Sequence, residues 1–153
     1  MSAQTSFENK GRNIFFYKNL PVFFKHTDIC GFVHPYNFLE WTSYVREAFF
    51  QTAVTNFKQV LQRPVKMMTT RISSVFLGDA EFGDQFEARL SVDKIKKVSF
   101  DMIVRFYHLK KDILICETRH TVVFVDADRE DFAPIPSEIG DIIIYYRDQL
   151  VSS

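Results

Sequence analysis

The chain has 153 residues, of which 46% are hydrophobic and 25% charged, and its 19 basic and 19 acidic side chains give a formal net charge of zero. This size and composition predict one folded domain spanning residues 1–153 and exclude a disordered chain. The balanced charge argues against nucleic-acid binding as the main role, because neutralising phosphates requires an excess of basic residues.

The first half of the chain predicts one strand, one loop and one long helix. Residues 1–12 are polar and predict a loose lead-in without the apolar stretch of a secretory signal. Residues 14–24 predict a strand with Pro21 at a bulge or an edge position, and residues 25–35 predict a loop. Apolar residues then recur every three or four positions, which predicts a helix from Tyr36 to about Gln62 that is enclosed on more than one side.

The second half predicts an antiparallel meander. The hydrophobic period changes to two after Pro64, and turn residues separate the apolar runs. These runs predict strands over residues 66–77, 85–93, 99–109 and 113–126. Ser137 is expected to cap a short final helix over residues 137–150.

This order of elements predicts an α+β fold. One face of the sheet must cover the long helix, because no other part of the chain can do so. A curved antiparallel sheet wrapped around a single long helix is the hotdog architecture. Its open edge strands are usually removed by edge pairing, so we expect a homodimer or a homotetramer.

Other features bound the location and the cofactors. No run of about 18 apolar residues occurs, so we expect no membrane span. Cys30 and Cys116 are far apart in sequence, and a reducing cytoplasm is the expected location. His108 and His120 lie on different predicted strands without a set of carboxylates, so we expect no metal and no cofactor.

A distinctive pattern occupies residues 24–47. It reads Asp-Ile-Cys-Gly-Phe-Val from Asp28 to Val33, followed by Phe38-Leu39-Glu40-Trp41 and Arg46-Glu47. The pattern resembles the 4-hydroxybenzoyl-CoA thioesterase type of hotdog enzyme, which shows Asp-x-x-Gly-x-Val before a Tyr-Leu-x-Trp/Phe segment and a later arginine on the helix. Its end, from Trp41 to Glu47, also resembles the thioesterases of enediyne and related polyketide pathways.

The resemblance implies hydrolysis of an acyl thioester carried by CoA or acyl carrier protein, in a groove between subunits at the helix N-terminus. It implies that Asp28 is the nucleophile or the general base, and either role suits a carboxylate. It further implies that Arg46 and the helix N-terminal N–H groups hold the oxyanion. The residues expected to contact the substrate are Gly31, Val33, His34, Tyr36, Phe38 and Trp41.

Two positions depart from the family pattern. The tyrosine expected ten residues after the aspartate is Phe38, so no phenol is available there. The residue seven after the aspartate, which often supplies a backbone N–H to the thioester oxygen, is Pro35, which has none. The N–H of His34 or Tyr36, or another group, must then replace it.

Each assigned residue also has a structural alternative. Asp28 forms an Asx turn that orders its loop, or pairs with His26 two residues earlier. Arg46 has no acid three or four residues away and Glu47 is expected to point elsewhere, so Arg46 forms a tertiary ion pair, reaches solvent or faces a polar site. The lysines of residues 94–97 and 110–111 bind CoA phosphates or an acidic carrier, or are solvated turns.

Two other functions are open to a hotdog protein of this composition. A non-catalytic protein would hold an acyl ligand among its 17 phenylalanines. A dehydratase is disfavoured, because that chemistry commonly uses a histidine paired with an acid and the long helix has no histidine.

Overall fold

The computed structural model describes residues 14–147 and a two-residue strand at Thr5–Ser6. The strands are β1 (Thr5–Ser6), β2 (Phe15–Pro21), β3 (Val65–Phe76), β4 (Gln85–Asp93), β5 (Ser99–His108), β6 (Ile113–Asp126) and β7 (Asp131–Phe132). The helices are α1 (Tyr36–Ala53), α2 (Phe57–Leu61) and α3 (Ser137–Tyr145), and a 3-10 turn covers Phe24–His26.

The named strands form one antiparallel sheet in the order β1-β2-β4-β5-β6-β3, with β7 paired to β6. The sheet curls around α1, which confirms the predicted α+β hotdog fold. Among the described strands β3 pairs only with β6, so β3 leaves one edge of the sheet open.

The core lies between α1 and the concave face of the sheet. The helix buries Phe38, Trp41, Val45, Phe49 and Phe50. Alternate residues of β4 and β5 meet them, as the period of two predicted: Phe86, Ala88, Leu90, Val92, Phe100, Met102, Val104 and Phe106. Aromatic side chains therefore supply much of the volume of this layer.

The helix predicted over residues 36–62 is divided in two. Val54 takes extended angles (φ −97°, ψ 115°), and Asn56 adopts the left-handed conformation with φ 57°. Phe57 begins α2 and stacks on Phe50 with ring centroids 5.1 Å apart. The apolar period crosses the break because α2 also buries Phe57 and Val60, so the pattern records burial rather than helical continuity.

The first predicted strand also ends early. Its hydrogen-bonded part stops at Pro21, which pairs with Gln85. The register shift lies between Tyr17 and Leu20, where Asn19 has φ 62°, so the bulge precedes the proline. Part of the loop predicted next is a 3-10 turn.

The final helix begins where it was predicted, but the predicted cap is wrong. Pro136 occupies the N-cap position, and no side chain caps the helix. Residues 148–150, its predicted end, lie outside the described residues, as does the predicted lead-in apart from Thr5–Ser6. No helix in the described part of the chain has both the length and the hydropathy needed to cross a membrane.

Candidate active site

The segment of residues 27–35, here called the entry loop, leads into α1 and is ordered by Asp28. The Asp28 Oδ1 atom accepts hydrogen bonds from the backbone N–H groups of Cys30 (2.8 Å) and Phe32 (3.2 Å). Gly31 completes the turn with φ 82°, a conformation that favours glycine. The Asx turn therefore forms, and within residues 14–147 no hydrogen bond or ion pair engages Oδ2 of this exposed carboxylate.

His26 does not pair with Asp28. Its Nδ1 accepts a hydrogen bond from the Phe23 backbone N–H (2.9 Å), and its ring meets Trp41 edge-on with centroids 5.1 Å apart. Burial, reinforced by the charge of Lys25, lowers the pKa of His26 below its usual value. His26 is thus a buried, neutral side chain, and its backbone carbonyl anchors the entry loop by accepting the His34 N–H.

The first turn of α1 narrows the choice of oxyanion donor. The backbone N–H of His34 donates to the carbonyl of His26 at 2.9 Å, so it is already engaged. The Tyr36 N–H has only a long contact of 3.4 Å with the His34 Nδ1 atom. The Asn37 N–H donates to the carbonyl of His34 at 3.0 Å. Of the two predicted donors, Tyr36 has the N–H that a substrate oxygen can take over.

The remaining predicted contact residues separate into two groups. His34 and Tyr36 are exposed at the helix start, with ring centroids 4.5 Å apart, and Gly31 is exposed in the entry loop. Val33, Phe38 and Trp41 are buried. Because Phe38 also packs against three sheet residues, Phe76, Phe86 and Phe106, its burial is that of a core residue. Substrate contact by the buried group stays a prediction.

Arg46 has a neutral partner across the fold and a local ion pair, not the tertiary ion pair that was one of its predicted alternatives. Its Nη1 donates to the Thr69 hydroxyl at 3.0 Å, and its Nη2 lies 3.6 Å from the Glu47 carboxylate. The expectation that Glu47 points elsewhere is therefore wrong. The Arg46 side chain is 20% exposed, and its Nε is buried without a hydrogen-bond partner among the described residues.

His120 lies near Arg46. The sequence predicts no metal at this histidine and indicates no other role for it. Burial and the Arg46 charge lower the pKa of His120 to about 4. Neither ring nitrogen has a hydrogen-bond partner in the part of the chain that the structure describes. The available sequence signal was the alternation of β6, which places His120 on the buried face with Thr118 and Val122.

Within residues 14–147, no hydrogen bond or ion pair joins Asp28 to Arg46. Arg46 lies ten residues after Tyr36, which is about 15 Å along a helix that rises 1.5 Å per residue. A single carbonyl group cannot contact both ends of that span.

A second polar region lies on the outer face of the sheet. A depression of about 310 Å³ is lined by Arg71, Ser73, Lys94, Lys96, Ser99, Asp101, Arg119 and Thr121. Arg119 is engaged by Asp101 at 3.0 Å and by Asp93 at 3.2 Å. Arg71 and Lys96 have no ion-pair partner within residues 14–147, so the depression presents free positive charge.

Comparison with known families agrees with this architecture. Residues 22–143 match the sequence profile of the thioesterase-like superfamily. This range includes the entry loop, α1 and the sheet from β3 to β6. The chain belongs to this superfamily. Membership supports thioester hydrolysis as the general chemistry. No curated protein matches the chain.

Solved structures of this superfamily share the fold at low identity. A 1,4-dihydroxy-2-naphthoyl-CoA thioesterase from Synechocystis has 17% identity and a TM-score of 0.77, covering 86% of this chain and 96% of its own. The dynemicin thioesterase has 18% identity and a TM-score of 0.79, covering 89% and 97%. A Staphylococcus aureus protein in complex with CoA has 13% identity and a TM-score of 0.78, covering 100% and 92%.

Proposed function

We propose that the protein is a cytoplasmic thioesterase that hydrolyses an acyl or polyketidyl thioester, with Asp28 as nucleophile or general base. The observation that carries the proposal is the held carboxylate of Asp28, whose Oδ1 is fixed by two backbone N–H groups while Oδ2 is uncommitted. An oriented carboxylate with one free oxygen attacks the thioester carbonyl or takes a proton from water. Superfamily membership supports this chemistry.

The oxyanion is assigned to Arg46 and the Tyr36 N–H. The unpartnered Nε–H of Arg46 is a charged donor in a buried setting, where such a donor stabilises developing negative charge most strongly. The Tyr36 N–H replaces the donor that Pro35 lacks, because its contact with His34 is long. Since α1 separates these groups by about 15 Å, the assignment requires two protomers.

The open edge of β3 supports a homodimer. The 12-residue strand lacks a partner on one side among the described strands, and it exposes the apolar residues Met68, Ile72, Val75 and Phe76. A long apolar edge of this kind invites pairing with a second copy of itself. We therefore assign the two-fold axis to this edge, with β3 antiparallel to the partner's β3.

An axis through Ile72 of β3 completes the site, because residues opposite each other in an antiparallel pair share a face. It pairs Ile72 with the partner's Ile72 and sets the Thr69 end of β3 alongside the partner's residues 74–76. Thr69 bonds Arg46, and Phe76 contacts Phe38 at the start of α1 with ring centroids 5.8 Å apart. Arg46 of one chain then lies level with the helix start of the other, next to that chain's Asp28.

A mixing experiment tests the two-chain site. Asp28→Asn and Arg46→Met proteins are each expected to be inactive, and co-refolding them regenerates one intact site in every heterodimer. Half of a random mixture is heterodimer with one of two sites intact, so about a quarter of wild-type activity is expected. Activity of the mixture no greater than the sum of the separate variants contradicts the two-chain assignment.

CoA is the proposed carrier, and the outer depression is the proposed phosphate site. Its free cations, Arg71 and Lys96, and the hydroxyls of Ser73 and Ser99 are donors suited to phosphate oxygens. Arg71→Ala and Lys96→Ala should raise KM for an acyl-CoA and leave KM for the corresponding acyl-pantetheine, which lacks the nucleotide, unchanged. Equal effects on both substrates contradict a phosphate site. An unaltered KM for acyl-CoA with an increased KM for an acyl carrier protein favours the protein carrier.

A non-catalytic acyl-binding protein is the second candidate. It is favoured by the Asx turn, which gives Asp28 a structural purpose, and by the missing N–H of Pro35. Release of free thiol from a panel of acyl thioesters, followed with a thiol-reactive dye, separates the two functions. Binding without thiol release supports the second candidate.

A further inference from the structure

A buried polar cluster lies between α1 and the concave face of the sheet, beside the open edge. It consists of Arg46, Ser74 and His120 and is called the polar cluster below. The Arg46 Nε, the Ser74 Oγ and both ring nitrogens of His120 are buried and have no hydrogen-bond partner among the described residues. Buried polar atoms are nearly always paired, so four such atoms in one region point to a bound polar group.

Strand register and helix contacts bring the three residues together. The β3–β6 register sets Ser74 opposite Thr118, and His120 lies two residues beyond Thr118 on the same face. The Thr118 hydroxyl is 2.6 Å from the hydroxyl of Thr42, which lies one helical turn before Arg46. The lowered pKa of His120 agrees with this placement, because the Arg46 charge contributes to it.

The other buried histidines differ from His120. His108 accepts a hydrogen bond at Nδ1 from the Lys111 backbone N–H (3.2 Å), and its Nε2 lies 3.2 Å from the Asp84 carboxylate. His26 accepts one from Phe23. His120 is 2% exposed, yet it has neither kind of partner. The Nε2 atom of His108 also has no hydrogen bond among the described residues, but His120 differs in that both of its ring nitrogens are unpartnered and no carboxylate lies beside them.

The polar cluster is accessible from the open edge of the sheet. Ile72, which pairs with His120 on β3, is 50% exposed, and Thr69 is exposed as well. The side chain of Arg46 is 20% exposed. In the proposed dimer the partner's β3 pairs along this edge, so a substrate reaches the cluster from the groove between the two chains.

The chemistry of the free atoms selects the group that they bind. A neutral imidazole offers one donor and one acceptor nitrogen, the Arg46 Nε–H only donates, and the Ser74 hydroxyl does either. A carbonyl oxygen only accepts and an alkyl group does neither, whereas a hydroxyl group both donates and accepts. We propose that Arg46, Ser74 and His120 form a subsite for a hydroxyl group on the acyl chain, so that the preferred substrates are hydroxyacyl thioesters.

The position of the hydroxyl follows from the shared arginine. This step rests on the proposed function, in which the Arg46 Nε–H also holds the thioester oxygen, so that one N–H is shared between the two oxygens. The hydroxyl group then lies within a few bonds of the thioester, as it does in a 3-hydroxyacyl group. A hydroxyl at the far end of a long acyl chain does not meet this requirement.

The test measures binding in the Asp28→Asn protein, so that turnover does not enter the result. Isothermal titration calorimetry compares 3-hydroxyoctanoyl-CoA with octanoyl-CoA. One well-formed buried hydrogen bond is worth about fivefold in affinity, so the hydroxyacyl ligand should bind at least about fivefold more tightly. Adding His120→Leu or Ser74→Ala to Asp28→Asn should reduce this ratio to about one. His108→Gln, which changes a buried histidine outside the cluster, should keep it.

The outcomes separate the subsite from the proposed catalysis. A ratio near one in the Asp28→Asn protein means that the cluster holds an ordered water only, and it overturns the proposal. A ratio that survives both cluster substitutions places hydroxyl recognition elsewhere and overturns it too, as does failure of both ligands to bind. A fivefold ratio that the cluster substitutions remove upholds the subsite even if the wild-type protein releases no thiol, a result that sinks only the hydrolytic function.

Discussion

The polar atoms of the entry loop and those of the polar cluster differ in exposure and in hydrogen bonding. In the entry loop, Asp28 is exposed, and one of its oxygens is satisfied by two backbone N–H groups. In the cluster, the free atoms of Arg46, Ser74 and His120 are buried and unsatisfied. Solvent can satisfy an exposed oxygen at little cost, whereas a buried unpaired group keeps its desolvation penalty until a ligand or a water arrives. Solvent can therefore satisfy the free oxygen of the entry loop, whereas the free atoms of the polar cluster need a ligand or a water to satisfy them.

The largest expected effect comes from removing the charge that the entry loop presents. Asp28→Asn keeps an oxygen that accepts the N–H groups of Cys30 and Phe32, so the turn should survive. Loss of the nucleophile or base should lower kcat by about 10²–10⁴-fold, with Tm within a few degrees of wild type. Steady-state hydrolysis and thermal unfolding measure both. Undiminished hydrolysis by this variant removes the catalytic role.

Asp28→Ala sharpens that result by removing the turn as well as the charge. It should be as inactive as the asparagine variant but less stable, because two backbone N–H groups lose their acceptor. Equal stability of the alanine and asparagine variants contradicts a structural contribution from the Asx turn. Comparing the two variants thus separates the catalytic role of the Asp28 carboxylate from its role in stabilising the turn.

The next effect tests whether loop and cluster meet across β3. Ile72→Lys places a charge on the β3 edge. Because the Ile72 side chain is 50% exposed in the single chain, the fold should tolerate this change. The proposed dimer should dissociate and activity should fall with it, because each proposed site draws on two chains. Analytical ultracentrifugation gives the mass. Ile113→Lys is the matched control, since Ile113 is 49% exposed on β6 and should leave both mass and activity unchanged.

The fold was largely predictable because binary patterning determines it. Residues 85–93 and 113–126 form strands with the predicted bounds, since alternation and turn residues agree there. The division of the long helix at Asn56 was not predictable from the period, because residues on both sides of the break are buried. The left-handed conformation of Asn56 is a property of one residue, and the hydrophobic period carries no information about it.

The candidate site was predictable only where it is local in sequence. Asp28 and Gly31 form their turn within a few residues, so the spacing of the motif indicated it. The cluster joins α1, β3 and β6, and its members are 28 to 74 residues apart along the chain. Partners that meet through strand register have no short-range signal. For the same reason the contact of Arg46 with Thr69 was not foreseen.

The buried imidazole makes the cluster sensitive to acid. The pKa of His120 is about 4 in the folded chain and about 6.5 when exposed, so folding favours the neutral form. This contribution to stability is complete above pH 6.5 and is lost as the pH falls through 4. The loss between pH 7 and pH 4 is on the order of 3 kcal/mol. Urea unfolding at a series of pH values should show that His120→Leu loses less stability over this range than wild type does, and parallel curves contradict the assignment.

The smallest effect distinguishes satisfied from unsatisfied hydroxyls within the same groove. Thr42→Val leaves the Thr118 hydroxyl without its 2.6 Å partner and should lower the free energy of unfolding by about 1–3 kcal/mol. Ser74→Ala removes an oxygen that has no described partner, so the ligand-free protein should be as stable as wild type or slightly more stable. Chemical denaturation of both variants measures the contrast. A substantial loss of stability in Ser74→Ala means that the serine is already satisfied in the free protein, and it removes Ser74 from the atoms available to a substrate.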